Sequence, residues 1–258
     1  ITWSLVGSEM CIRDRYMSVL DGKIVQVGDL NTIKPEGKYE LDRSFENYVF
    51  MPGLVEGHSH LFEGALWSKL YCGYFDRQKP DGTMSIGIKN VKELVQKLKH
   101  ENETLLDPNA PLAGWGLDPI YFDDKALDRK ILDVVSDQRP IGILHASGHK
   151  LNINSVGLKL AGFLRTGINH EGLPLGDDGL PSGEIRGAET IALVTRHVGL
   201  GKDWLSGDAE GLRNFGKICA RAGVTTAADL ANLQTDEAVE MMLKVTSEPD
   251  FPARIVSL

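Results

Sequence analysis

Apolar residues along this chain fall into short runs whose spacing switches between strand and helix periods. Around the turn pair Asp21-Gly22, residues 17–28 carry apolar positions at Ile24 and Val27, with Val25 between, and predict a β-hairpin with a type I′ turn. A polar stretch with Pro35 and Gly37 follows, and Tyr48-Val-Phe-Met51 then predicts a third strand. Residues 16–52 therefore read as a small antiparallel β-domain. Residues 4–15 show no period of either kind.

From Pro52 the pattern changes. Gly53-Leu-Val-Glu-Gly-His-Ser-His60 predicts a strand that ends in polar residues. Val91, Leu94, Val95 and Leu98 share one face of a helix ending near His100. Strands are predicted at 111–115 and 141–146, with a short helix at 126–135 between them and another from Asn154 or Ser155 to Leu160. Residues 166–184, rich in Gly, Pro, Asp and Asn, predict a long loop, a feature usually tied to function in a compact domain. Helices at 189–198 and 209–222, a strand at 223–228, a helix at 236–247 capped by Thr235 and a strand at 253–258 complete the series. Strand and helix alternate, which predicts a parallel α/β architecture from residue 53 onward.

The 42 % hydrophobic and 25 % charged residues are those of a globular protein. A net charge of −8 without a basic run argues against nucleic acid or an anionic membrane surface as partner, and no apolar stretch is long enough to span a bilayer. Cys11, Cys72 and Cys219 are odd in number and widely spaced, so they form neither a metal knuckle nor a disulfide framework. A reducing, cytoplasmic setting is the expectation. The chain opens on Ile1, and residues 1–15 are expected to be a non-native leader, since 4–15 resemble translated sequencing-adaptor read-through from assembled environmental DNA.

The candidate chemistry lies in His58 and His60. On a strand, residues two apart project from the same face with Cα atoms about 6.5–7 Å apart, so two imidazoles can converge on one metal ion. With 7 His in 258 positions, chance alone yields some HxH in roughly one such chain in five, so the spacing by itself is weak. Its setting adds weight: the pair closes an apolar strand directly after Pro52-Gly53, and the C-terminal end of a barrel strand is where catalytic groups sit.

The hairpin followed by Met-Pro-Gly-Leu-Val-Glu-Gly-His-Ser-His (51–60) resembles the amidohydrolase superfamily. Gly114-Trp115-Gly116 with Asp118, Leu127-Asp128, the run from Gly148-His149 to Asn154-Ser155, Gly179-Leu-Pro-Ser-Gly183, and Gly223-Val-Thr-Thr226 with Asp229 narrow it to the amidohydrolase 3 branch. That branch includes YtcJ-like proteins and N-substituted formamide deformylases. The resemblance implies a partial TIM-type (β/α) barrel over 53–258, behind a β-domain belonging to a composite β-sandwich. It further implies one or two divalent ions, usually zinc, held by His58 and His60 with ligands from later strands. The implied reaction is hydrolysis of a non-peptide, amide-type C–N bond in a small-molecule substrate. The full-length protein could be a homo-oligomer.

A full barrel takes about 250 residues, and the later ligands and the catalytic acid find no match here, so the resemblance implies an N-terminal fragment that is inactive alone. Where relatives carry an acidic ligand near the fourth strand, this chain has Gly187, with Glu184 and Glu189 nearby. The resemblance places His149 at the substrate pocket. Trp115 reads as a pocket wall or as core, Asp118 as a loop cap, and His145 as an interior histidine. Two rival readings stay open: a barrel that binds a ligand or partner without catalysis, and a metal-dependent hydrolase of esters or lactones. No P-loop, dinucleotide fingerprint or Gly-x-Ser-x-Gly elbow is present.

Overall fold

The computed structural model describes residues 2–8, 12–29, 31, 33, 38–122, 127–201, 207–230 and 235–257. Cys11 lies outside them. The chain divides into two compact units, Ile1–Gly53 and Leu54–Leu258.

In the first unit, β1 (Thr2–Ser8), β2 (Ile12–Leu20), β3 (Lys23–Asp29) and β4 (Glu40–Leu41) form a sheet in the order β3-β2-β1-β4. The β2–β3 hairpin turns at Asp21-Gly22, both with positive φ (49° and 72°), the backbone a type I′ turn requires. Two expectations change. Residues 4–15, which lack a side-chain period, lie largely in β1 and β2 and pair antiparallel through the main chain. Tyr48-Val-Phe-Met51 is not a strand: Tyr48, Val49 and Met51 are exposed, and no neighbouring strand among the described residues pairs with them. Strands form where a partner's N–H and C=O groups are available, and alternation alone does not supply one.

The second unit begins with β5 (Leu54–Ser59), α1 (Phe62–Leu66), β6 (Leu70–Tyr71), β7 (Arg77–Gln78), β8 (Met84–Ser85) and α2 (Val91–Thr104). It continues with β9 (Leu112–Leu117), α3 (Arg129–Asp133), β10 (Ile141–His145), β11 (Lys150–Ile153), α4 (Ser155–Leu160), β12 (Glu184–Arg186) and α5 (Ala188–Ala192). It closes with α6 (Ala209–Ala222), β13 (Val224–Asp229), α7 (Asp236–Thr246) and β14 (Arg254–Ser257).

These strands do not make one parallel sheet. β5, β13 and β14 are parallel in the order β14-β13-β5, and α7 is the crossover from β13 to β14. The residues between β5 and α6 build a separate five-stranded sheet, β12-β11-β10-β9-β6, in which β10–β11 and β11–β12 are antiparallel. Alternation along the sequence suggested parallel pairing throughout. The strands that break the rule, β11 and β12, are four and three residues long, too short to show a period.

The five-stranded sheet is buried on both faces. Leu112, Ile141 and Ile143 join one core cluster with Leu94 and Leu98 of α2, while Ala113, Trp115 and Leu144 join another with Leu158 and Ile191. Gly116 has φ +89°, and a Cβ there would come within 2.8 Å of the Tyr71 ring. That kink, matched by a register shift opposite Leu144 and His145, lets Trp115 and Leu117 face opposite cores. Gly223 (φ +71°) ends α6 in the left-handed conformation and hands the chain to β13.

Two buried polar side chains fix the joints. Arg139 donates to Asn102 Oδ1 (2.7 Å) and to the carbonyls of Leu105, Asp107 and Ala110, closing the C-terminal end of α2 and the loop after it. Asn154 accepts from Gly157 N as the N-cap of α4, accepts from Ile141 N, and donates to the carbonyls of Ser136 and Arg139, all at 2.8–3.0 Å. The long loop is clasped by an Arg129–Asp178 ion pair and by Arg129 N donating to Ser182 O (2.6 Å). Asn154→Ala removes a cap and strands buried donors and acceptors, so it is expected to lower stability by about 3 kcal/mol, read from the shift in the urea midpoint.

Candidate functional site

β5 bulges out of its ladder at the residues of interest, between Glu56 and Ser59. Its register with β13 slips between Ala227 and Asp229, after which Ser59 sits opposite Asp229 and its hydroxyl donates to Ala228 O (2.9 Å). The His58 and His60 rings lie 5.3 Å apart, centroid to centroid, with their planes at 82°. Phe62 stacks on His60 at 5.3 Å and 19°. His58 is exposed, whereas His60 is half-buried and its Nδ1 is buried without a hydrogen-bond partner among the described residues.

That nitrogen lies 3.7 Å from Asp229 Oδ1, beyond hydrogen-bond range. Asp229 is 1 % exposed, and its other oxygen accepts from Leu61 N (3.3 Å). The sequence placed Asp229 in a motif without giving it a role. The signal was present: it closes the apolar strand β13 just as the histidines close β5.

Close helix packing holds the segment after His60. A Cβ on Gly64 of α1 would fall 1.9 Å from Gly211 O of α6, and one on Gly211 would fall 2.7 Å from Ala65 Cβ. Backbone meets backbone at this crossing, which pins α1 and the residues leading into it.

The structure brings three of the four sequence-predicted site residues into one lining. A cavity of about 140 Å³ is bounded by His60, Trp115 and His149, together with Phe62, Leu66 and Leu144. His58 borders a neighbouring space of about 250 Å³ with Glu56, His60 and Glu63, against Phe215 and Cys219 of α6. His60 is common to both. Trp115, left open between wall and core, is both: it is 3 % exposed, packs on Trp67 and Tyr71, and lines the cavity.

His149 sits on the turn after Gly148, and its carbonyl accepts from Gly187 N (3.0 Å). Gly187 thus anchors the His149 turn. Glu184 pairs with Lys150 and Arg186, and neither it nor Glu189 lines either cavity. Asp118 caps the turn at Pro119–Tyr121.

His145 is an interior histidine, as expected, with Nε2 2.5 Å from Asn152 Oδ1. Burial pushes its pKa below the usual value and keeps it neutral at the cavity wall. Cys72 is likewise inert, its thiol pushed up to about 12 by complete burial.

Two imidazoles, one of them with an orphaned buried ring nitrogen, beside a buried carboxylate suit a divalent cation in donor chemistry. They do not complete a centre. Among the described residues, no group of three or more His, Cys, Asp or Glu is placed to hold a metal ion. Among those residues, too, no helix is long and apolar enough to cross a membrane.

The sequence model described as "Amidohydrolase family" matches residues 46–258. The Arabidopsis thaliana protein LONG AFTER FAR-RED 3 is 28 % identical over 222 residues, which cover 83 % of this chain and 34 % of that protein. An uncharacterized metal-dependent hydrolase from Pyrococcus horikoshii OT3 superposes with a TM-score of 0.60 at 14 % identity, covering 100 % of this chain and 47 % of its own. A second, from Pyrococcus furiosus, gives 0.52 at 15 %, covering 99 % and 48 %. At such identity the likeness is one of fold. The chain spans about a third of the plant relative and about half of the two archaeal ones.

His145 gives this site a pH signature. A histidine kept neutral in the folded state opposes its own protonation, so the folded protein binds fewer protons than the unfolded chain as pH falls below about 6.5. Stability is expected to decline from that pH downward more steeply in the wild type than in His145→Gln, as read by thermal melts at pH 7.5, 6.0 and 5.0.

Proposed function

This chain belongs to the amidohydrolase family, and on that premise we propose that it forms part of a metal-dependent hydrolase of non-peptide, amide-type C–N bonds in small molecules. The observation that carries the reading is the His58–His60 pair at the end of β5, with an unpartnered buried nitrogen on His60 beside the buried carboxylate of Asp229. In the proposed architecture β5, β13 and β14 are successive strands of a (β/α) barrel, and the five-stranded sheet is an insertion between the first two. Leu54, Val55 and Val256 leave apolar surface of the three-stranded sheet exposed, which suits further barrel strands.

His58 and His60 would hold the ion, zinc being the expected one, with room for a second left open. When bound, such an ion lowers the pKa of its water toward neutrality and polarises a carbonyl. Asp229, 3.7 Å from Nδ1 of His60, would help to orient that ring while the ion is held. Phe62, Leu66 and Leu144 exclude water from one side of the cavity. Trp115 and His149, which line the same cavity, would meet substrate. The 258 residues would supply part of the centre, and the further ligands and the general acid would come from the rest of the barrel.

That the described residues hold no group of three or more His, Cys, Asp or Glu placed for an ion keeps one rival open, a barrel that binds a ligand or partner without metal. Zinc titration of the protein separates the two. Wild type is expected to bind zinc at a site lost in the His58→Ala/His60→Ala double variant, and unchanged zinc content in that variant would refute the assignment. Asp229→Asn is expected to weaken zinc binding by roughly 10–100-fold while leaving the helical circular dichroism intact.

A further inference from the structure

The cavity bordered by His58 carries charge that the proposed hydrolysis leaves unused. Its lining, around about 250 Å³, includes two carboxylates, Glu56 and Glu63, and neither lysine nor arginine. Glu56 Oε1 accepts from His58 N (3.0 Å), which holds that side chain against its own strand. Among the described residues neither carboxylate has a cationic partner. Phe215, 4 % exposed, and the half-buried Ile218 give the same cavity an apolar wall from α6.

Cys219 is the third feature of this lining. It is 4 % exposed, and its thiol has no hydrogen-bond partner among the described residues. Burial, and then the charges of Glu56 and Glu63, push its pKa up to about 11, so it stays a neutral S–H. The thiol therefore feels the negative potential of both carboxylates and does nothing to offset it.

Uncompensated negative charge beside an apolar wall calls for a ligand that is cationic at one end and apolar at the other. Glu56 and Glu63 are not placed to hold a bare ion with a third ligand. An organic ammonium suits them, since its N–H groups can reach separate carboxylates while its carbon body meets Phe215 and Ile218. An acid would meet like charge and no cation, a heavy penalty. The volume, about 250 Å³, exceeds the roughly 150 Å³ known to admit one benzene ring, which leaves space for a ring and a short chain.

We propose that the cavity between β5, α1 and α6 binds a primary organic ammonium, whose N–H groups donate to Glu56 and Glu63 while its apolar body lies against Phe215 and Ile218. The site does not depend on the hydrolase reading: the same side chains form it whether or not His58 and His60 hold an ion.

The test uses the 258-residue protein with ¹³C-labelled isoleucine δ-methyl groups, in the presence of a metal chelator, so that failure of the zinc titration and failure of this inference are read separately. The probes are benzylammonium, benzyl alcohol and benzoate, one ring carrying a cation, a neutral group or an anion. Benzylammonium is expected to shift the Ile218 methyl resonance, identified by its loss in Ile218→Val. It is expected to bind about tenfold more tightly than benzyl alcohol, with benzoate weaker still. Raising NaCl from about 20 to about 500 mM is expected to weaken benzylammonium about fivefold and to leave benzyl alcohol within about twofold.

Glu56→Gln/Glu63→Gln keeps the side-chain shapes and removes both charges. It is expected to lower benzylammonium affinity about tenfold and to leave benzyl alcohol within about twofold. If that double variant fails to fold, the wild-type resonance shift, the ranking of the three probes and the salt dependence decide. An unmoved Ile218 methyl at saturating benzylammonium, benzyl alcohol or benzoate binding as tightly, affinity for benzylammonium indifferent to salt, or unchanged affinity in a folded Glu56→Gln/Glu63→Gln would each overturn the proposal.

Discussion

The parallel pairing of β5 with β13 is the constraint on which the site depends. These strands are separated in the chain by all the residues of the five-stranded sheet, yet their register sets Ser59 against Asp229 and ties Ser59 Oγ to Ala228 O. A carboxylate as deeply buried as that of Asp229 must be met by donors or positive charge. The backbone N–H of Leu61 is one such donor, so the burial of Asp229 dictates where the chain turns after His60. Without that pairing, the two histidines would be side chains on a free strand end.

Around this joint, the second unit uses close backbone approach to set directions. The Gly64–Gly211 crossing presses α1 onto α6 immediately after the histidine pair, and the Gly116 kink sends Trp115 to one core and Leu117 to the other. The cavity then forms where the C-terminal ends of β9 and β10 meet α1. Trp115 lies near the end of β9, His145 ends β10, and His149 occupies the next turn. Strand ends leave backbone free to turn and side chains free to converge, so polar groups gather there while the strand interiors stay apolar.

Much of the element inventory is legible in the residue pattern. The Asp21-Gly22 turn, the Leu94/Leu98 face of α2, the Thr235 cap of α7 and the Asn154 cap of α4 are local, decided within a few residues by sterics and nearby hydrogen bonds. His58 and His60 could be singled out because strand geometry puts positions two apart on one side, and the surrounding motifs pointed to a family that the comparison with residues 46–258 confirms.

What the tertiary structure decided is pairing and proximity. Periodicity reports which face of a segment is buried and says nothing about its neighbour. Strand–helix alternation therefore could not show that β11 and β12 pair antiparallel, or that β13 rather than β9 lies beside β5. Nor could it show that residues 4–8 and 12–15 enter a sheet while Tyr48–Met51 meets no partner strand among the described residues. The approach of Asp229 to His60, and the shared lining of Trp115, His60 and His149, join residues far apart in the chain. Contacts of that kind depend on loop closure and on the packing of whole layers, which no local window of sequence encodes.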